Sequence, residues 1–373
     1  MALQSGLGGH LTVDLGALVR NWRALDKVSA GSLTAAVVKG DAYGTGIVAS
    51  AKALYAAGAR FFFTATVDEA IQVRAALQDA YIFVLNGLYP GAANLYVRQN
   101  LMPVLSSIPM LEEWLTKCLE RNEAYPAALH FDTGMNRLGF RLNEAVTVRK
   151  QIEHLGYAPQ MVMSHLACAD QPNHEKNRTQ LALFQSVISQ FPGIPASIAN
   201  SAGVMAGRDY HFQMVRPGVA LYGGRAVIGR KNPMAPVVTL HAPILQVKEA
   251  RTGETVGYGA SVTLARETRL AIVGLGYADG FFRSLSGSYN RPGGKVAVRG
   301  HICPVVGKVS MDLIAVDITE LGSDIPLPGE GVEVLGPTIG VDDQADAGGT
   351  IGYEILTSLK GRYTRSYVGG EAE

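Results

Sequence analysis

Between residues 33 and 224 the chain alternates short apolar runs of strand length with longer stretches of helical spacing, and few folds accommodate that pattern. The runs are LTAAVV from 33, FFFTAT from 61, YIFVLNG from 81, MPVLS from 102, AALHFD from 127, MVMSHL from 161, ASIAN from 196 and VALYGG from 219. A strand followed by a helix implies a parallel neighbour, because parallel strands need a crossover of about a dozen residues or more. Eight such units in about 200 residues predict a closed (β/α)8 barrel over an open sheet. Ahead of the first run, Leu15, Leu18, Val19, Trp22 and Leu25 recur at helical spacing. Thr66 and Glu69 form a capping box at the start of the helix after the second run.

After Pro236 the texture changes to alternating apolar segments broken by glycine: TLHAPILQVKEA, RLAIVGLGYADG, KVAVRG, CPVVGKVSMDLIAVDI and VEVLG. This predicts a second, mostly β domain, with TIGYEILTSLKGRY as a short helix near its end. Proline and small residues in MAPV place the junction at 234–237. The expected division is residues 11–233 for the barrel and 234–373 for the β domain, which residues 1–10 could join.

The charge balance argues against nucleic acid as a partner, since only 17% of residues are charged and the net charge is +1. Cys118, Cys168 and Cys303 are odd in number and far apart, which fits a reducing compartment and neither a disulfide framework nor a metal site. The N-terminal MALQSGLGGH lacks the layout of a signal peptide, and no apolar run approaches the roughly 18 residues of a membrane span. A cytoplasmic enzyme with no membrane partner is the expectation.

In a barrel of this kind the carboxyl ends of the strands face the catalytic mouth. Lys39 stands after the first run, Asp132 and Arg137 after the fifth, His165 after the sixth, Asn200 and Ser201 after the seventh, and Arg216 beside the eighth. A lone strand-end lysine is more often a solvated side chain than a reagent. Leaving an apolar strand, however, Lys39 would be partly desolvated, as a lysine that forms a Schiff base with an aldehyde must be. RPGVALYGG, with Ser201 nearby, offers backbone and hydroxyl donors to a phosphate dianion, although a turn before a strand explains it equally well. GLGYADG is not read as a nucleotide loop, because no helix or acidic ribose partner follows.

VVKGDAYGTG, HFDTGMNRLGF, MSHLACAD, ANSAG, VRPGVALYG, VGYGAS, GYADGFFR, VGKVSMD and TIGYEIL stand in the order and at the approximate spacing of the alanine racemase family, from residue 37 to residue 357. The chain therefore resembles that family over nearly its whole length. The resemblance implies a barrel that binds pyridoxal 5'-phosphate, a following β domain and a head-to-tail homodimer with shared active sites acting on a small amino acid. It makes Lys39 the residue that carries the cofactor and one of two opposed bases, the other being Tyr258 from the partner subunit. Tyr43, Ser201, Gly218, Val219 and Tyr353 match phosphate-binding positions, with Asn200 beside them. Arg216 matches the residue facing the pyridine nitrogen, and His165 its hydrogen-bonded neighbour. Arg137 and the backbone N–H of Met311, with Asp312 next to it, match the substrate carboxylate site, and Tyr277 the entrance.

Three positions depart from the family pattern. His130 stands where many relatives carry a lysine whose carbamate holds the arginine matched by Arg137, Ser310 replaces a frequent cysteine, and Gly352 a common proline. A carboxylate, chloride or other anion must then orient Arg137, or the substrate range widens to serine and other small amino acids. A decarboxylase on the same barrel would bring a glycine-rich phosphate loop and a cysteine placed to protonate the carbanion, and the three cysteines fit no such motif. A non-catalytic pyridoxal-phosphate-binding protein would lack the stretch from Val237 to Glu373. Wall synthesis and alanine breakdown both remain open as roles.

Overall fold

The computed structural model describes residues 8–370 except Lys360. Seven parallel strands run in chain order from Ala36–Val37 through Phe61–Thr64, Tyr81–Val84, Met102–Leu105, Ala128–His130 and Met161–Met163 to Ala196–Ser197. Helices between them cover the outer face, so the strands carry apolar residues on both sides, as FFFT illustrates. Phe63 stacks on its register partner Phe83 at 4.8 Å, and Phe61 on Tyr81 at 4.8 Å. The Val67–Ala76 helix opens with the expected capping box of Thr66 and Glu69.

The barrel is closed by a strand that the sequence misassigns. Met214–Val215 pairs in parallel with Leu33–Thr34, the first half of LTAAVV. On its other side the Gln213 N–H donates to the Ala196 carbonyl (3.1 Å) and the Arg216 N–H to that of Ala199 (2.9 Å). The run VALY, expected as the eighth strand, is instead a 3-10 turn over Val219–Tyr222. Four buried apolar residues look alike in a strand and in a tight helical turn, so periodicity could not separate them. Packing decides: the Asn21 amide on the Leu15–Val28 helix donates to the Leu221 carbonyl (3.0 Å), and the Tyr222 hydroxyl donates to that of Val37 (2.9 Å).

The mostly β character expected after residue 236 is present. A long strand, Val238–Ala250, pairs with Gly331–Leu335 along its first half and with Thr268–Val273 along its second, with a bulge between Ile244 and Gln246. His10–Asp14 also belongs to this sheet, between Val238–Ala250 and Thr364–Val368. The chain thus begins its described course on the β side, and Asp14 then caps the first barrel helix by accepting the Ala17 N–H at 2.8 Å. No helix among the described residues is long and apolar enough to cross a membrane.

Candidate active site

Lys39 lies at the end of the first barrel strand, directly followed by a backbone reversal that local propensity does not favour. Asp41, Ala42 and Tyr43 have φ of 53°, 51° and 53°, and with Gly40 and Gly44 they make one left-handed turn. Each non-glycine residue in that region costs roughly 1–2 kcal/mol, so the surroundings must hold the turn in place. Gly44 (φ 79°) is required, because a Cβ there would lie 2.1 Å from the Leu356 carbonyl oxygen. That contact ties the turn to the Gly352–Thr357 helix, which carries Tyr353.

The turn presents Tyr43 beside Tyr353 (ring centroids 5.9 Å) and stacks it on Tyr222 (4.6 Å). The Gly218 N–H donates to the Ser201 hydroxyl at 2.8 Å, and a Cβ at Gly218 would come within 2.3 Å of the Tyr43 hydroxyl. Tyr43, Tyr353, Ser201 and Gly218 are thereby one cluster. Val219 opens the 3-10 turn that follows Gly218, and Asn200 caps the Ser201–Ala206 helix by accepting the Gly203 N–H (2.9 Å). Burial raises Tyr43 far above the ordinary phenol range and pushes Tyr353 up to about 12. Both stay protonated, and neither hydroxyl has a hydrogen-bond partner among the described residues. Paired phenols next to a glycine and a serine fit a phosphate, which accepts hydrogen bonds at every oxygen.

Arg216 is 4% exposed, at the barrel centre. One terminal nitrogen donates to the Ser164 carbonyl (2.6 Å) and the other to the Ser197 hydroxyl, and the Phe63 ring lies 5.9 Å away. No carboxylate among the described residues pairs with it. Burial pushes it down to about 9, so it remains a cation at neutral pH. A buried cation with spare donors calls for an acceptor, and an aromatic ring nitrogen fits that requirement. The expected bond between His165 and Arg216 is not found among the described residues; the two hydrogen bonds Arg216 makes there go to Ser164 and Ser197. The His165 ring is held neutral, well below the usual histidine range, first by burial and then by Arg216, Arg137, His130 and Lys39.

For Lys39, burial first and then the Arg137 charge hold the amine below the ordinary lysine range, while Glu69 acts in the opposite sense. Arg137 itself is exposed and pairs with no carboxylate among the described residues. Asp132, its near neighbour in sequence, is occupied by the Gly134 and Met135 N–H groups at 2.8 Å each.

His130 is buried, and desolvation with the Arg216 and Arg137 charges pushes it down to about 4 against the opposing Asp132. A histidine whose folded pKa lies below its unfolded value of about 6.5 stabilises the fold fully above that pH. The contribution is lost as pH falls from about 6.5 toward 4, and amounts to roughly 3 kcal/mol. The melting midpoint of His130→Gln should therefore fall less steeply than wild type between about pH 7 and pH 4. Parallel curves for the two proteins would contradict this account.

Tyr258, Tyr277, Met311 and Asp312 lie elsewhere, in the β part. Tyr258 is 70% exposed, Met311 53% and Tyr277 43%. Tyr277 donates its N–H to the Ser310 carbonyl and Ala278 to that of Met311, both at 3.0 Å, so these loops form one strip. Asp312 pairs with Arg362 at 2.8 Å. The Gly352 departure has a local reason: the Asp342 carboxylate would lie 2.6 Å from a Cβ at that position, and it is held by the Arg225 N–H (2.8 Å).

Sequence reading missed Tyr222, Ser164 and Ser197, which support Tyr43 and Arg216. Tyr222 was hidden by the strand assignment, and the two serines carry no local signal.

Comparison with known proteins places these features in one family. Models of the alanine racemase N-terminal and C-terminal domains match residues 13–226 and 237–367. An alanine racemase of Rhizobium meliloti is 48% identical, covering 97% of this chain and 97% of that protein. A biosynthetic alanine racemase of Agrobacterium fabrum is 47% identical, covering 96% and 93%. The crystal structure of alanine racemase from Bartonella henselae with covalently bound pyridoxal phosphate superposes with a TM-score of 0.91 at 38% identity, covering 97% of this chain and 99% of that one.

Proposed function

This chain belongs to the alanine racemase family, and from that premise we propose that it interconverts L-alanine and D-alanine on pyridoxal 5'-phosphate, as a homodimer in the cytoplasm. The observation that carries the reading is the alignment, in one barrel mouth, of Lys39, the Tyr43–Tyr353–Ser201–Gly218 cluster and the carboxylate-free Arg216.

When bound, pyridoxal phosphate supplies the delocalisation that acidifies the Cα–H bond of an amino acid. Tyr43, Tyr353, Ser201 and the Gly218 and Val219 backbone would hold its phosphate, and Arg216 would face its ring nitrogen. Lys39 would hold it covalently and then, as a free amine, move a proton on one face of Cα. Racemisation needs a second group on the opposite face, within hydrogen-bond reach. Tyr258 from the partner subunit serves there, with Tyr277 at the entrance. Arg137 and the Met311 N–H bind the substrate carboxylate, Asp312 fixing the Met311 loop through Arg362. In this reading residues 11–233 supply the lysine side of each site and residues 234–373 of the partner the tyrosine side.

The exposed Arg137, without a carboxylate partner among the described residues, favours a second reading in which serine is accepted beside alanine. Incubating the purified protein with each enantiomer of alanine and serine, followed by chiral separation, tests both. Alanine should reach equal amounts of the two forms from either side. Failure to interconvert either enantiomer of any amino acid would overturn the proposal, and alanine conversion without serine conversion would remove the second reading alone.

A further inference from the structure

The carboxylate of Glu69 does more than cap its own helix. One oxygen accepts the Ala65 N–H at 2.8 Å and the Thr66 N–H at 3.4 Å, the second of which completes the capping box. The other accepts the Gly40 N–H at 2.6 Å, with the Asp41 N–H at 3.4 Å. These two amides open the left-handed turn that begins at Lys39, so one side chain spans the ends of the first and second barrel strands. Other side-chain ties on the turn lie further along: Asp41 accepts the Ile47 N–H at 2.8 Å and pairs with Arg365 at 3.3 Å, and Arg365 reaches the Gly44 carbonyl at 3.0 Å. Among the described residues, only Glu69 grips the turn by a side chain at the residue following the lysine.

We infer that Glu69 is a positioning residue for Lys39, fixing the turn so that the Lys39 amine and the Tyr43 hydroxyl face one cofactor from opposite ends of a five-residue unit. The inference rests on the proposed racemase reading for its catalytic consequence, though not for its effect on cofactor retention. A negative charge against the turn also favours the protonated amine, counter to burial and Arg137. Tyr258, the base on the other face, shares none of this.

Glu69→Gln keeps the side-chain length and removes the charge, and it leaves an amide that cannot accept from Ala65 and Gly40 with both terminal atoms. Thr66→Ala is the control, since it removes the other half of the capping box (Glu69 N–H to Thr66 hydroxyl, 3.4 Å) and does not touch the Lys39 turn. Both holoenzymes would be dialysed against cofactor-free buffer and the pyridoxal phosphate retained would be measured by absorbance. They would then be assayed with α-deuterated L- and D-alanine. Glu69→Gln should lose cofactor on the order of ten times faster than wild type. Its deuterium isotope effect should rise for one enantiomer only, the one whose proton Lys39 removes. Thr66→Ala should lower the melting temperature and leave both readouts unchanged.

Equal behaviour of the two variants, or unchanged retention in Glu69→Gln, would overturn the role given to Glu69. If Glu69→Gln does not fold, Glu69→Asp, which keeps the charge and withdraws it by one methylene, takes its place and must show the same asymmetry. A wild-type protein that retains cofactor and racemises nothing would count against the racemase reading alone, because the retention comparison would still decide the inference.

Discussion

Mixing a Lys39→Ala chain with a Tyr258→Phe chain should restore activity that neither parent has. On the proposed two-base reading each substitution removes one proton-transfer group and should lower racemisation by about 10²–10⁴-fold. Tyr258 is 70% exposed in its own chain, and the Tyr277 and Met311 loops, hydrogen-bonded to each other, are exposed as well. If a two-fold dimer brings Tyr258 and these loops over the partner's barrel mouth, each site takes one base from each chain. A hybrid dimer then has one site with both substitutions and one with neither. With free re-assortment about half the dimers are hybrids, so activity should approach a quarter of wild type. The measurement is racemisation before and after subunit exchange, with exchange followed independently by a mass tag. Confirmed exchange without recovery would place both bases in one chain.

Charge reversal at Arg216 should have the next largest effect, and on reaction outcome as well as rate. A guanidinium, with a reference pKa above about 12, donates to a ring nitrogen without surrendering its proton. Even displaced by burial to about 9, Arg216 keeps that character at neutral pH. A glutamate in the same buried place would be raised by desolvation and would share its proton with the ring nitrogen, giving a stronger electron sink. Arg216→Glu should therefore lower racemisation on the order of 10²-fold and raise transamination per turnover, read as pyruvate formed per alanine racemised. The Ser197 hydroxyl, now an acceptor from Arg216, can rotate to donate to the new carboxylate. If both reactions slow in equal proportion, Arg216 only positions the ring.

Much of the candidate site was legible in the sequence, because its residues sit at strand ends and strand ends can be read from hydrophobic runs. Lys39, Asp132, Arg137, His165, Asn200, Ser201 and Arg216 were placed that way, and the family motifs added Tyr43 and Tyr353. The His165–Arg216 bond expected from the motifs is not found among the described residues; Arg216 bonds instead to the Ser164 carbonyl and the Ser197 hydroxyl, which local sequence does not connect to it.

The eighth strand shows the same division within the fold. A run such as VALY has the composition of a strand, but Met214–Val215 closes the barrel because it is the segment that reaches both Leu33–Thr34 and the end of the seventh strand. Closure is a condition on the whole ring and leaves no mark on four residues. His10–Asp14 likewise joins the far sheet through partners more than 200 positions away in sequence.

Glu69 carries both kinds of information in one carboxylate. Its capping box with Thr66 spans three positions, and the sequence by itself determined it, because a helix start is a local event governed by neighbouring amides. Its bond to the Gly40 N–H spans 29 positions. Only the tertiary structure decided that contact, because it exists once two strands lie side by side and the left-handed turn after Lys39 aims its amide at the same acid.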